Sequence, residues 1–257
     1  AFVRSQPAPE ALERLYAEEE ELSATYTDRA SLEVRMEQVV RPKIEWALEV
    51  FERRFQRRPR SAVDVGAGGG HVVEGLRRAG VPAEGYELSA SSRRFAAEVF
   101  GIELRNADFL SEPSGAELVT FFGLLEYTPE PNRFLTAASR ALAGEAGLLV
   151  VEVPRIDCVG TTVQKTWPDT IARHLDPTSH VNCFSDESLE VALDRAGFEP
   201  VAAWYFGMDA YELLVQLALR GGAEVGEHLA KPILSLQQAF DAARLCDDII
   251  IAAVPAG

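Results

Sequence analysis

A short apolar strand that ends in an acid and a run of glycines constrains this chain more than any other feature. Ser61-Ala62-Val63-Asp64-Val65 leads into Gly66-Ala67-Gly68-Gly69-Gly70, and a helical stretch begins at His71. Glycine has no Cβ, so the backbone can turn sharply there and approach a ligand closely. The helix behind the turn offers N–H groups that have no partner within the helix. In an open α/β sheet, a turn of this kind at the carboxyl end of a strand is where nucleotide-like ligands bind.

The spacing narrows the ligand. A dinucleotide fingerprint reads G-x-G-x-x-G. Gly66 and Gly68 fit it, but His71 stands at the third glycine position, which disfavours a nicotinamide-dependent oxidoreductase. Residues 81–89 read as a second strand ending at Glu87. An acid about twenty residues past the glycine turn is placed to take a ribose, and its two oxygens suit a vicinal diol. Further strands are expected at 102–105, 116–122, 146–153, 198–206 and 248–254, with helical stretches between them. The run at 146–153 is almost continuously apolar, as a central parallel strand buried on both faces should be. The alternation predicts an α/β fold, a parallel sheet with helices on both faces.

With 257 residues and 47% hydrophobic content, the chain can build one full core with additions. It has no run of eighteen apolar residues and no signal-peptide pattern, so a cytoplasmic protein is expected. It does not start with Met, which is consistent with an excised part of a longer protein. Cys158, Cys183 and Cys246 lie far apart, which argues against a zinc site or a disulfide framework and fits a reducing compartment. The net charge of −15 would repel a phosphate backbone, so no nucleic-acid partner is expected. The one basic run, Arg53-Arg54-Phe55-Gln56-Arg57-Arg58-Pro59-Arg60, reads as a solvated helix end, where cations suit the dipole.

The glycine run, written Asp64-x-Gly66-x-Gly68-x-Gly70, resembles the first motif of the Rossmann-like (class I) S-adenosylmethionine (SAM) methyltransferases of small molecules. Glu87, the pair Asp108-Phe109 and the stretch Phe122-Gly123-Leu124-Leu125-Glu126-Tyr127-Thr128-Pro129 fit the same family. The resemblance implies a doubly wound sheet of seven strands in the order 3-2-1-4-5-7-6, the last antiparallel. It implies SAM as cofactor, bound by Asp64, Gly66, Ala67, Gly68, Gly70, Glu87, Leu88, Asp108, Phe109, Phe122, Gly123 and Leu124. In that picture Asp108 faces the adenine amino group, Phe109 lies against the ring, and 122–124 line the methionine part. Tyr127 stands where many relatives carry His; it could orient a substrate or simply pack.

The expected organisation is a helical cap at 1–60, a SAM-binding core at 61–206, a helical insertion at 207–246 and a final core strand at 247–257. Within the cap, Val40, Ile44, Ala47, Phe51 and Phe55 form one stripe, and Pro42 predicts a kink or break near Val40-Arg41. Tyr16 and Tyr26 could reach the ligand. The insertion could roof the acceptor pocket or form an interface between copies. The long segment 154–182, with Trp167, His174, Asp176 and His180, overhangs the site as a lid would. Ser185 caps the next helix, with Ser188 where a full capping box has Glu or Gln.

Methyl transfer from a sulfonium needs chiefly alignment, and a hydroxyl acceptor also benefits from a base. His180 is the preferred base; Tyr127, Trp167 and His174 are candidate acceptor contacts. His71 is expected near the cofactor without chemistry, and His228 at the surface. The expected activity is methyl transfer to a small-molecule hydroxyl, of a sugar or secondary metabolite. N- or C-methylation and a SAM-binding scaffold without turnover are the alternatives.

Overall fold

The computed structural model describes residues 27–142, 144, 146–167, 169, 175, 180–222 and 230–256. Tyr16, Tyr26, His174, Asp176 and His228 lie outside them.

The described chain opens with α1 (Leu32–Arg35), a π-helical turn (Met36–Val40) and α2 (Arg41–Phe55). Pro42 falls in the first turn of α2, where its missing N–H is not needed, so the expected break is instead a change of helix type without loss of direction. Then follow β1 (Ala62–Val65), α3 (His71–Arg78), β2 (Ala83–Tyr86), α4 (Ala90–Phe100), β3 (Leu118–Phe122), α5 (Pro131–Ala141) and β4 (Leu148–Pro154). The remainder is α6 (Val159–Thr166), α7 (Asp186–Arg195), β5 (Phe198–Phe206), α8 (Asp209–Gly221), α9 (Ala230–Ala242) and β6 (Asp248–Pro255).

The sheet has six strands in the order β2-β1-β3-β4-β6-β5. β1 to β4 are parallel, and β6 runs antiparallel to both β4 and β5. The strand expected at 102–105 does not form, so among the described residues the sheet has six strands where seven are expected. Arg105 makes a single bridge to Tyr86, and only Ile102 and Leu104 of the segment are buried. With one bridge and exposed Glu103 and Arg105, this edge has too little pairing for a ladder.

Alternation along the strands divides the core. Leu118, Leu148, Val150, Ile250 and Ala252 face Ile44, Leu48 and Phe51 of α2 and Val73 and Leu76 of α3. Val119, Phe121, Leu149, Val151, Ile249 and Ile251 face Leu135 and Ala138 of α5 and Leu189 and Leu193 of α7. Helix α3 carries Gly75 where a Cβ would collide with Ile44 and touch Val40 at 3.0 Å. This glycine lets α2 and the π turn press directly onto the helix behind the glycine turn.

Two local expectations change. The basic run is solvated, with the Arg60 side chain 80% exposed, but it also makes specific bonds: Arg57 and Arg60 both hold Glu117 just before β3, with Arg57 forming a two-pronged bond of 2.6 and 2.9 Å. Arg58 spans Glu52 and the Ala79 carbonyl. The basic run therefore fastens α2 to the amino end of the sheet. At α7 the capping box is complete, because Ser188 Oγ accepts from Ser185 N at 2.9 Å while Ser185 Oγ accepts from Ser188 N at 3.1 Å. A serine reaches back as a glutamate would.

Candidate active site

The glycine turn sits at the carboxyl end of β1. Gly66, Gly68 and Gly70 have φ of +74°, +51° and +80°, so three left-handed residues within five positions fold the chain back under α3. Gly66 N and Ala67 N bond the Tyr86 carbonyl, tying the turn to β2. Across the turn, a Cβ at Gly66 would meet Leu124 at 3.1 Å. The end of β3 thus lies against the turn as sequence spacing could not show.

Glu87 follows β2 directly. Its carboxylate accepts from Gly68 N at 2.7 Å and from Ser89 N at 2.6 Å. Burial pushes its pKa up, against these backbone bonds. A two-oxygen acceptor is therefore aimed at the glycine turn, which fits a ribose diol, and Leu88 stands exposed beside it. This is the test that S-adenosylmethionine passes here: an acid, a glycine cradle and the β3 end converge on one place.

Other expected cofactor contacts are placed differently. Asp64 is 2% exposed and points into the sheet, where its Oδ1 accepts from Thr120 Oγ1 at 2.6 Å. Burial raises its pKa to about 7. Its side chain holds β1 to β3; the turn's backbone is what faces a ligand. Phe109 is 2% exposed, edge-on to Tyr86 and Phe121, so its ring belongs to the core and does not lie open for adenine. Asp108 is exposed, with its carboxylate bonded to Leu110 N and Ser111 Oγ. His71 is buried between Phe95 and Phe100, and burial drops its pKa to about 4. A neutral imidazole packs where a dinucleotide site would keep a glycine.

On the other side of Gly123, the chain brings together Tyr127 and His180, which are 53 positions apart. His180 Nε2 lies 3.2 Å from Tyr127 Oη, with the rings edge to face. The pairing is held by backbone: Val181 N and Asn182 N both donate to the Glu126 carbonyl. Trp167 ends α6, and Arg220 of α8 lies over its indole at 4.7 Å. A cavity of about 580 Å³ opens elsewhere, between α2 and the edge strand β5, lined by Trp46, Trp204 and Tyr205. It is a surface groove away from the glycine turn.

Several charged residues were not singled out from sequence. Lys43 of α2 bonds Glu152 of β4 at 2.6 Å. Glu126 is buried beside them, with a pKa raised to about 8 by burial. Arg155 is 2% exposed and bonds Asp186 and the Arg244 and Cys246 carbonyls, closing the end of β4. The available signal was an acid inside an otherwise apolar strand, Val150-Val151-Glu152-Val153.

A family model described as a methyltransferase domain matches residues 34–203. The chain belongs to this methyltransferase family. It is a SAM-dependent methyltransferase of the class I type, with SAM as its cofactor. No curated protein matches it in sequence. Among solved structures, it is similar to magnesium protoporphyrin IX methyltransferase from Synechocystis PCC 6803 with bound S-adenosylhomocysteine (SAH). The TM-score is 0.62 at 13% identity, over 97% of this chain and 100% of that one. The plantazolicin methyltransferase BamL, bound to a desmethyl plantazolicin analogue and SAH, has a TM-score of 0.60 at 12% identity, over 96% and 95%. A SAM-dependent methyltransferase from Archaeoglobus fulgidus has 0.55 at 18%, over 88% and 99%. Identities this low carry the fold of the methyltransferase and not its acceptor. No helix among the described residues is long and apolar enough to cross a membrane.

Proposed function

We propose that this methyltransferase acts on a hydroxyl of a small molecule, a sugar or secondary metabolite, with His180 as the base. The observation that carries the reading is the Tyr127–His180 pair, 3.2 Å apart, immediately beyond the strand end that contacts the glycine turn. The net charge of −15 supports a small acceptor over nucleic acid.

When bound, the cofactor supplies a methyl group on a sulfonium, already activated for in-line displacement. The chain's part is to bind and align. Backbone of Gly66, Ala67, Gly68 and Gly70 cradles the cofactor, with Asp64 fixing that backbone from below. Glu87 would take the ribose hydroxyls on the acceptor sites its two oxygens keep beside the bonds from Gly68 N and Ser89 N. Leu88 and Asp108 would border the base, and Phe122, Gly123 and Leu124 would line the methionine end. Holding the acceptor oxygen in line with the methyl carbon is worth about 7–11 kcal/mol of barrier. His180 Nε2 accepts the hydroxyl proton as the new bond forms, worth roughly 10²–10⁴-fold. Tyr127 Oη orients the imidazole until the acceptor hydroxyl takes its place.

Leu217, Leu219 and Leu234 are exposed on α8 and α9, which supports an interface between copies there. The deciding experiment is a SAM turnover assay on a panel of small hydroxyl compounds. Methyl ethers formed by the wild type, and lost in His180→Ala with SAM binding intact, support the reading; products methylated only at nitrogen or carbon overturn it.

A further inference from the structure

The carboxyl end of β4 holds more carboxyl groups than the chain itself pairs with cations. The Lys43 ammonium lies 2.6 Å from Glu152, with only 15% and 12% of the two side chains exposed. The same ammonium lies 5.8 Å from the Phe122 ring and 5.6 Å from the Phe206 ring. Glu126 stands beside this ion pair, 5% exposed, and its Oε2 has no hydrogen-bond partner among the described residues. Its Oε1 lies 3.4 Å from where a Cβ at Gly123 would be, so the carboxylate backs directly onto the strand end proposed to line the cofactor. Asp248, at the start of β6 and opposite Pro154, feels Glu152, Asp247, Lys43 and Glu126.

Glu152 thus pairs with the one ammonium, and Glu126 and Asp248 feel it without a contact of their own. A buried charge must be paired or give up its charge. In the present arrangement Glu126 and Asp248 take the second course: burial raises both, Glu126 to about 8. The charged and titratable groups facing Glu126 are Lys43 from α2, Glu152 from β4, Asp248 from β6 and Cys183 from the segment before α7. Only Lys43 among these is a cation. An anionic ligand would find the one cation, Lys43, already held by Glu152, and would leave the Glu126 oxygen unpaired. A cationic one would pair the orphaned oxygen, release its proton and find aromatic faces already holding an ammonium.

We propose that the acceptor of this methyltransferase carries a protonated nitrogen, and that Glu126, with Glu152 and Asp248, seats that nitrogen beside Phe122 and Phe206 while its hydroxyl is methylated. The inference rests on the acceptor reading given under Proposed function. Glu126 is a specificity-determining residue here and takes no part in the bond changes.

The test uses full-length protein saturated with SAH. Matched sets of amine, neutral alcohol and carboxylate on the same small scaffolds (ethanolamine, ethylene glycol and glycolate; glucosamine, glucose and glucuronate) are titrated by calorimetry and thermal shift. At least one amine is expected to bind tenfold or more tighter than its neutral and anionic partners, and to release protons below pH 8. Glu126→Gln is expected to remove that preference with SAH affinity unchanged. Phe206→Leu, which keeps every carboxylate, should weaken amine binding several-fold. Equal binding across each set, or no amine binding, overturns the proposal. So does a tenfold loss of SAH affinity in Glu126→Gln, which would assign the carboxylate to the cofactor's own ammonium. Failure of wild-type protein to bind SAH at all would instead strike the cofactor reading on which the site was built.

Discussion

The two halves of the sheet's carboxyl edge are built on opposite plans. On the β1–β2 side, the site is nearly all backbone: a glycine turn bonded to β2, with one carboxylate, Glu87, closing it through Gly68 N and Ser89 N. Its parts lie within 66–89. On the β3–β4–β6 side, the proposed acceptor site is nearly all side chain: Lys43, Glu126, Tyr127, Glu152, His180 and Asp248 arrive from five separate segments. The first half is suited to a ligand of fixed shape, recognised by N–H groups and one diol acceptor. The second can be retuned by single substitutions without disturbing the first, and it is where a methyltransferase fold would set its acceptor.

If that division is real, substitutions in one half should leave the other's readout alone. The largest effect is expected at the proposed base. His180→Ala should lower kcat by roughly 10²–10⁴-fold and leave SAM affinity within error in a direct titration. A normal kcat would make the Tyr127–His180 pair structural. Next comes Glu87→Ala, which removes charge-assisted bonds of about 1.5–3 kcal/mol and should weaken SAM binding accordingly. An unchanged dissociation constant would take Glu87 out of the cofactor site, and an effect on kcat alone would blur the two halves.

A third substitution probes the opposite end of the sheet as a control. Glu117→Gln should cost roughly 2 kcal/mol of stability, read from denaturant midpoints, with SAM affinity retained, because Arg57 and Arg60 hold Glu117 far along the strands from the turn.

In pH dependence two carboxylates carry opposite signs. The hydrogen bonds from Arg57 and Arg60 hold Glu117 down at about 2. Its contribution to stability is present above the ordinary value of 4.5 and is lost as pH falls from there toward 2. Burial raises Asp64 from 3.8 to about 7, so its contribution is present below 3.8 and is lost as pH rises to about 7. Asp64→Asn should therefore flatten the stability profile between pH 4 and 7 while Glu117→Gln flattens it below 4.5. A D64N profile parallel to wild type through that window would show that Asp64 is not the buried acid responsible.

What could be read without the fold follows from how local each feature is. Gly66, Gly68 and Gly70 have left-handed φ because the turn needs it, and that need is written in consecutive letters. Glu87 was found by its distance from the turn. The apolar runs gave β4 and β6 almost to the residue, since a buried strand has to be apolar on one face or both. The edge at 102–105 was overread, because an alternating tetrapeptide does not reveal whether a neighbour offers enough backbone to pair with. Spacing does not show that the side chains of Phe109 and Asp64 are buried, Phe109 against Tyr86 and Phe121 and Asp64 against Thr120. A side chain's direction depends on what lies on either face of its strand.

The sequence by itself determined the glycine turn, the acid that answers it, the alternation of strand and helix, and hence the methyltransferase cofactor half. Those features are contiguous, and backbone stereochemistry and hydrophobic burial act on neighbours in the chain. Only the tertiary structure decided that Lys43 meets Glu152 over 109 positions, that Glu126 is buried with an unpaired oxygen, and that His180 reaches Tyr127. Electrostatic pairing in a desolvated pocket depends on distance in space and on what has excluded the water, and neither is written in the spacing of residues along the chain.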